Sequence, residues 1–250
     1  MDRLHVIGKG FWERVSTKPG LKNNKHILIK KEQTMRFTSI TSDDITFHDY
    51  TSRSIKVEPL KFQIPRMYMP FGVSGFAPPY GPTKYNIDFS MKGWNEPDNY
   101  VKKFYDFLLM VESKVVSHVE SISVDIFGRQ MSTTELLALF NSNIKVSGTY
   151  DPKFRVKVAD NTTQFFDVGD TEITKTLEEG LYKKMTGSAL IQFGNIYFFN
   201  KRFGITWTIE QVKVYEPQRL HGFNFADPVE VEDDGDEEPV KKMSGFMFQV

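Results

Sequence analysis

One long amphipathic helix interrupts a chain that otherwise reads as β-strand, and this order limits the fold more than any other feature. After NEPD (95–98), Val101, Phe104, Leu108, Val111, Val115, Val119 and Ile122 recur at three- and four-residue spacing. That spacing puts them on one face of an α-helix. Asn95 or Asp98 can cap it, Pro97 suits its first turn, and Gly128 follows its end. Ser132 opens a second, short helix, STTELLALF, with Glu135 at capping-box spacing.

Strand patterns flank both helices. From Ser54, Ile55 and Val57 alternate with Lys56 and Glu58. Pro59 interrupts, and Leu60, Phe62 and Ile64 resume on the other phase, as at an edge or a bulge. A Gly/Pro-dense loop, VSGFAPPYGPT, precedes KYNIDFSM, where Tyr85, Ile87 and Phe89 oppose Lys84, Asn86 and Asp88. In KFRVKV, Phe154, Val156 and Val158 face inward, and Lys153, Arg155 and Lys157 face outward. TTQFFDV reads as a strand, and TEITKTLEEGLYKKM as a helical turn or two. Two strong strands close the series, SALIQFGNIYFFNKR and GITWTIEQVKVYE, joined at Lys201–Gly204, with Trp207 read as core. Residues 1–50 yield no firm element. HILIKK from His26 is a candidate strand, GKG near residue 8 reads as a turn, and TSDDITFHDYTS reads as loop. Six to eight strands with an inserted helix indicate an α+β or β-barrel organisation.

Composition narrows the chemistry. The chain has no cysteine, which removes disulfides, zinc ribbons and thiol nucleophiles and suits a reducing compartment. No apolar run reaches the roughly 18 residues of a membrane span, and the N-terminus has no signal-peptide core. The expectation is an intracellular protein without a membrane role. The five histidines show no ligand spacing, and no phosphate-loop or nucleophile-elbow motif is present. No enzyme, cofactor or metal site is expected.

The formal net charge of zero hides two unlike parts. Of the 32 basic and 32 acidic residues, 2 and 8 fall after Ala226, so residues 1–226 carry a net +6. The tail holds Asp233, Asp234, Asp236, Glu237 and Glu238 within its acidic run, then two lysines and an apolar end with Phe246 and Phe248. A basic body favours anionic partners, and an acidic tail is either an interaction segment or a solubilising end. On the body, cations interleave with aromatics: Tyr68 and Phe71 before Lys84, the Lys153/Arg155/Lys157 stripe, and Lys201 and Arg202 beside Phe203. Lys/Arg contacts to phosphate plus bases stacked on exposed rings hold single strands without reading sequence.

These parts resemble, in their order, the single-stranded-DNA-binding proteins of nucleocytoplasmic large DNA viruses. Those are similar in turn to the OB-fold replication protein of short-tailed phages. YMPF at Tyr68–Phe71, KYNIDFSM, the long helix from Pro97, YDPKFRVKV and NIYFFNKRFGITWTIEQVKVYE carry the resemblance. It covers roughly two-thirds of the chain, from about Ser54 to Tyr215. It implies an OB-fold-like barrel with an inserted long helix, a groove for single strands, and an acidic C-terminal tail; the mutual repulsion of the acids leads one to expect that tail to be disordered. The tail departs from the phage pattern, since KKMSGFMFQV follows the acids. The expected division is a basic N-terminal extension (1–52), the nucleic-acid-binding domain (53–217), and a linker with acidic tail (218–250). The implied role is sequence-nonspecific binding of single-stranded DNA in viral replication, recombination or repair, in the host nucleus or a cytoplasmic virus factory. The tail is expected to compete for the groove and to recruit replication proteins. RNA as a ligand and self-association are left open. The competing reading is a structural or scaffolding virion protein that binds no nucleic acid.

Overall fold

The structure is a computed structural model, and it describes residues 35–217 apart from Ser52 and Asn161. HILIKK, the GKG turn and the acidic tail with Phe246 and Phe248 lie outside the described residues. The strands ahead of the helix are β1 (Met35–Arg36), β2 (Phe47–Thr51), β3 (Ser54–Gln63), β4 (Met67–Met69), β5 (Val73–Phe76) and β6 (Lys84–Ser90). Three helices follow: α1 (Tyr100–Ser121), α2 (Ser123–Phe127) and α3 (Thr133–Leu139). Then come β7 (Phe140–Asn141), β8 (Ile144–Ser147), β9 (Tyr150–Val158), β10 (Gln164–Phe166), β11 (Met185–Phe199) and β12 (Arg202–Tyr215). Among the described residues twelve strands stand where periodicity predicts six to eight, because segments of two to four residues are too short to show a period.

Five segments close a ring. β11 pairs with β4, β4 with β6, β6 with β9, β9 with β12, and β12 returns to β11. β3 and β4 act as one first strand broken around Pro65, since both pair with β11, β3 at Leu190–Tyr197 and β4 at Met185–Gly187. With that strand as first, the order around the ring is one, two, three, five, four, and the third (β9) and fifth (β12) run parallel. This is the OB-fold arrangement, a five-stranded Greek-key barrel. The phase change at Pro59 is present as a register shift: Phe193 faces Leu60 but Asn195 faces Lys56.

The barrel interior centres on Trp207, which is buried against Phe62, Phe154 and Phe193 at ring distances of 5.7, 5.9 and 4.8 Å. Buried rings of this kind each contribute on the order of 2–3 kcal/mol. Helix α1 caps one end. Its Phe104 and Phe107 reach the inward-facing Phe154 and Phe62 at 5.5 and 5.1 Å, and those rings are accessible only through the mouth of a filled barrel. The buried stripe matches the sequence period, with Phe107 and Val116 added to it. The cap, however, is Asn99, whose side chain accepts a hydrogen bond from the Val101 N–H at 2.8 Å, because Asp98 has turned to a φ of 60°. At α3 the Ser132–Glu135 capping box forms as read.

Residues 35–51, which the sequence reading assigns to an N-terminal extension, pack on the barrel. Phe37 is buried among Tyr100, Phe104 and Phe107 at 4.9–5.7 Å, and Ile40 and Ile45 are buried with it. β1 lies parallel and β2 antiparallel to β3, so TSDDITFHDYTS is partly strand. In place of the helical turn or two expected in TEITKTLEEGLYKKM, residues 179–184 form non-helical turns, since Gly180, Tyr182 and Lys184 all take positive φ.

Candidate nucleic-acid interface

The second and third barrel strands, β6 and β9, lie side by side, and their outer face is where OB-folds hold oligonucleotides. On β9, Phe154, Val156 and Val158 are buried, so Lys153, Arg155 and Lys157 are held on the outside by strand parity. Register extends the row: Tyr68 faces Ser90, Ser90 faces Lys153, and Lys153 faces Lys145 on β8. The Lys153 ammonium stands 4.9 Å above the Phe71 ring. Phe71 and Tyr68 are 46% and 41% exposed, half open as a stacking surface requires. Gly72 fixes Phe71. Its φ is 64°, and an added Cβ would sit 2.2 Å from the Leu181 carbonyl oxygen, so only glycine lets this loop back onto the 180–183 turn. Val73 N–H to Leu181 O and Gly180 N–H to Val73 O, both 2.8 Å, lock the two together.

Arg155 has a different role from the one expected. It lies directly opposite Asp88, which is buried, and its guanidinium donates to both carboxylate oxygens at 2.7 and 2.8 Å. The hydrogen bonding to Asp88 raises its pKa further above the usual arginine value. The stripe therefore offers two cations that enter no ion pair among the described residues, Lys153 and Lys157, around one internally neutralised pair. Sequence reasoning missed Lys145. Its ammonium donates to Asn141 Oδ1 and to the Ser142 carbonyl. Burial, and then the nearby Arg155, pull its pKa below the ordinary lysine value. Beside it, burial pushes the Glu112 carboxyl up, against the hydrogen bond it accepts from Ser142 Oγ at 2.6 Å. The only sequence signal for Lys145 was a four-residue alternation, IKVS, before the Gly148 turn.

Lys84 shares the outer side of β6 and faces Phe76, which is 61% exposed. At the β11–β12 tip, Lys201 and Arg202 are exposed as expected, but Phe203 is not available. It is fully buried against Phe140 at 5.3 Å and Phe198 at 5.7 Å. The exposed ring of this hairpin is Phe199, 67% accessible and paired with Arg202. Alternation from Trp207 already puts Phe203 on the inward side of β12, whereas the register shift at Phe193/Asn195 on β11 turns Phe199 outward. The tail residues Asp233, Asp234, Asp236, Glu237, Glu238, Phe246 and Phe248 lie outside the described residues.

No protein-family model and no curated protein matches the chain. Among solved structures it is similar to gp2.5, a single-stranded DNA-binding protein encoded by bacteriophage T7. The TM-score is 0.43 at 11% identity, covering 67% of this chain and 98% of that one. It is also similar to the single-stranded DNA-binding protein of bacteriophage Enc34. A C-terminal truncation of that protein gives a TM-score of 0.39 at 10% identity over 72% of this chain and all of that one. Its complex with single-stranded DNA gives 0.35 at 12% identity over 72% and 99%.

Proposed function

We propose that this protein binds single-stranded DNA with little sequence preference across the outer face of β6 and β9. The phosphates run along Lys153, Lys157 and Lys145, and bases stack on Phe71 and Tyr68. The observation that carries this reading is the pairing of Lys145 directly opposite Lys153 beside a half-exposed phenylalanine. Glu112 and Asp88 offset part of the positive charge at Lys145, so Lys153 and Lys157 present the charge open to a phosphate backbone. Rings at the same place serve bases of any identity. The role is that of an accessory protein in viral DNA replication, recombination or repair, which the resemblance of the barrel segments supports. The acidic run of residues 227–238, tethered to a body of net +6, acts as a competing polyanion at high effective concentration. Phe246 and Phe248 then serve as the apolar handle for a replication partner.

The test is fluorescence titration with oligo(dT) at two salt concentrations, on the full chain, on a truncation after Ala226, and on K153Q/K157Q. The truncation should bind tighter, most at low salt where screening is weakest. The double variant should bind more weakly, with a log–log salt slope flatter by about 1.4, the share of two phosphate contacts on a single strand. Failure of both full-length and truncated protein to bind at low salt overturns the reading. A folded double variant that binds as the parent removes the β9 face from it.

A further inference from the structure

The far end of the β11–β12 hairpin is a two-residue loop, Asn200–Lys201, with φ of 48° and 62°. This mirror-image turn favours glycine at its second position, and here a lysine occupies it. The neighbouring β2–β3 turn holds Arg53 at φ 66°, and its carbonyl accepts the Phe198 N–H at 3.0 Å, which ties the two turns together. Side-chain-bearing residues held in the left-handed region persist where the surroundings enforce them, and they collect at ligand sites. Between these turns and the α2–α3 connection lies a cavity of about 640 Å³.

Its walls divide cleanly. Phe127, Phe198 and Leu139 form an apolar floor, with Phe198 braced edge-on by Tyr50 at 5.3 Å. Arg53, Arg129, Lys201 and Arg202 form the rim, and no carboxylate lines it. Arg129 is partly satisfied by Glu135 at 2.7 Å. Arg53, Lys201 and Arg202 enter no ion pair among the described residues. Three unpaired cations around an aromatic floor match a ligand with a flat apolar body and an anionic group. The volume falls within the range of sites that enclose small ligands, far below what a duplex needs.

A nucleotide has that chemistry, and the sheet leads one there. Arg202, Gly204, Thr206 and Thr208 alternate with the buried Phe203, Ile205, Trp207 and Ile209, so they share the outer side of β12, and Thr208 adjoins Lys157. Lys145 donates to Asn141, whose amide donates to the Tyr197 hydroxyl at 2.8 Å, and Tyr197 lies beside Gly204. Thr206, Thr208 and the hydrogen-bonded Asn141–Tyr197 pair thus lie between the β9 face and Arg202 on the pocket rim. We propose that the pocket takes one nucleotide of a single strand whose neighbours lie on that face, its base against Phe127 and Phe199 and its phosphate between Arg53 and Arg202. The proposal rests on the single-strand-binding reading above.

The test uses the full chain with oligo(dT) carrying 5-iododeoxyuridine, photo-cross-linked and mapped by mass spectrometry. Cross-links are expected at Phe127 or Phe199 as well as at Tyr68 or Phe71. Excess thymidine 5′-monophosphate should suppress the first pair preferentially. R53Q/R202Q should reduce that pair at least tenfold and leave the second pair in place, and F199A should act in the same direction. Cross-links confined to Tyr68 and Phe71, unchanged in R53Q/R202Q, overturn the pocket and leave the broader reading standing. No binding and no cross-link anywhere overturns both. Protection of the pocket by a synthetic peptide of residues 227–250, with no effect of thymidine 5′-monophosphate, makes it an acidic-peptide site and overturns the proposal.

Discussion

On β9 the cations stand at every second residue because Phe154, Val156 and Val158 are packed into the barrel, and parity does the rest. At the tip of the β11–β12 hairpin, cations and a ring are again exposed, but no strand parity puts Lys201 or Arg53 where they are. Two left-handed turns do, held by the Phe198–Arg53 hydrogen bond. The sheet face is an open surface whose central arginine is neutralised by Asp88. The tip is concave, and its lining holds no acid. The same two kinds of side chain thus form an extended track in one place and an enclosing site in the other. Backbone geometry sets that difference, and composition has little part in it.

The largest expected effect breaks the assumption that the tip aromatics are interchangeable. Phe203→Ala should cost about 3–5 kcal/mol of stability, as for a buried phenylalanine whose cavity cannot collapse, measured by denaturant unfolding. Binding per folded molecule should be unchanged. A stable variant that has lost oligo(dT) affinity would return Phe203 to the binding surface.

Phe71→Ala sharpens the description of the sheet face. Its ring is half exposed, so the thermal midpoint should hardly move. Oligo(dT) affinity should fall by about 1–3 kcal/mol, the worth of one stacked base. A lowered midpoint with unaltered affinity would make Phe71 a packing residue beneath Lys153.

The smallest effect concerns Glu112, the acid beside Lys145. Burial raises its folded-state pKa above the unfolded value. Its favourable contribution is therefore fully present below the unfolded pKa and lost as pH rises through the folded one. Burial disfavours the ionised carboxylate. Glu112→Gln, which keeps an acceptor for Ser142, should be equally stable or more stable at pH 7, by up to about 1 kcal/mol. It should also lack the parent's relative gain in stability on acidification from about pH 7 toward pH 4. Thermal melts across that range check both; a variant less stable at neutral pH means the carboxylate anchors Lys145 by its charge.

Much of the frame was legible residue by residue. The α1 stripe, the Ser132–Glu135 box, the phase change at Pro59, the outward Lys153 and Lys157, and Trp207 as core all follow from period or local capping. Phe37, Ile40 and Ile45 show no period, and their burial became visible only with α1 laid across the barrel mouth. Lys145 sat in a strand too short to read.

What the sequence determined by itself are the interactions reaching a few residues along the chain: helix faces, strand faces, caps, and the charge contrast between residues 1–226 and the tail. Tertiary structure alone decided the rest. Asp88 and Arg155 are 67 residues apart in sequence and meet because β6 and β9 pair in one register. The bulge between Phe193 and Asn195 on β11 decides that Phe199 faces water, while Phe203 fills the core in phase with Trp207. Arg53 joins the hairpin tip through a backbone hydrogen bond to Phe198, beside the Ser54–Tyr197 pair. A one-residue change of register reverses every side chain beyond it, so the exposed partners at the candidate site depend on long-range pairing that local pattern does not encode.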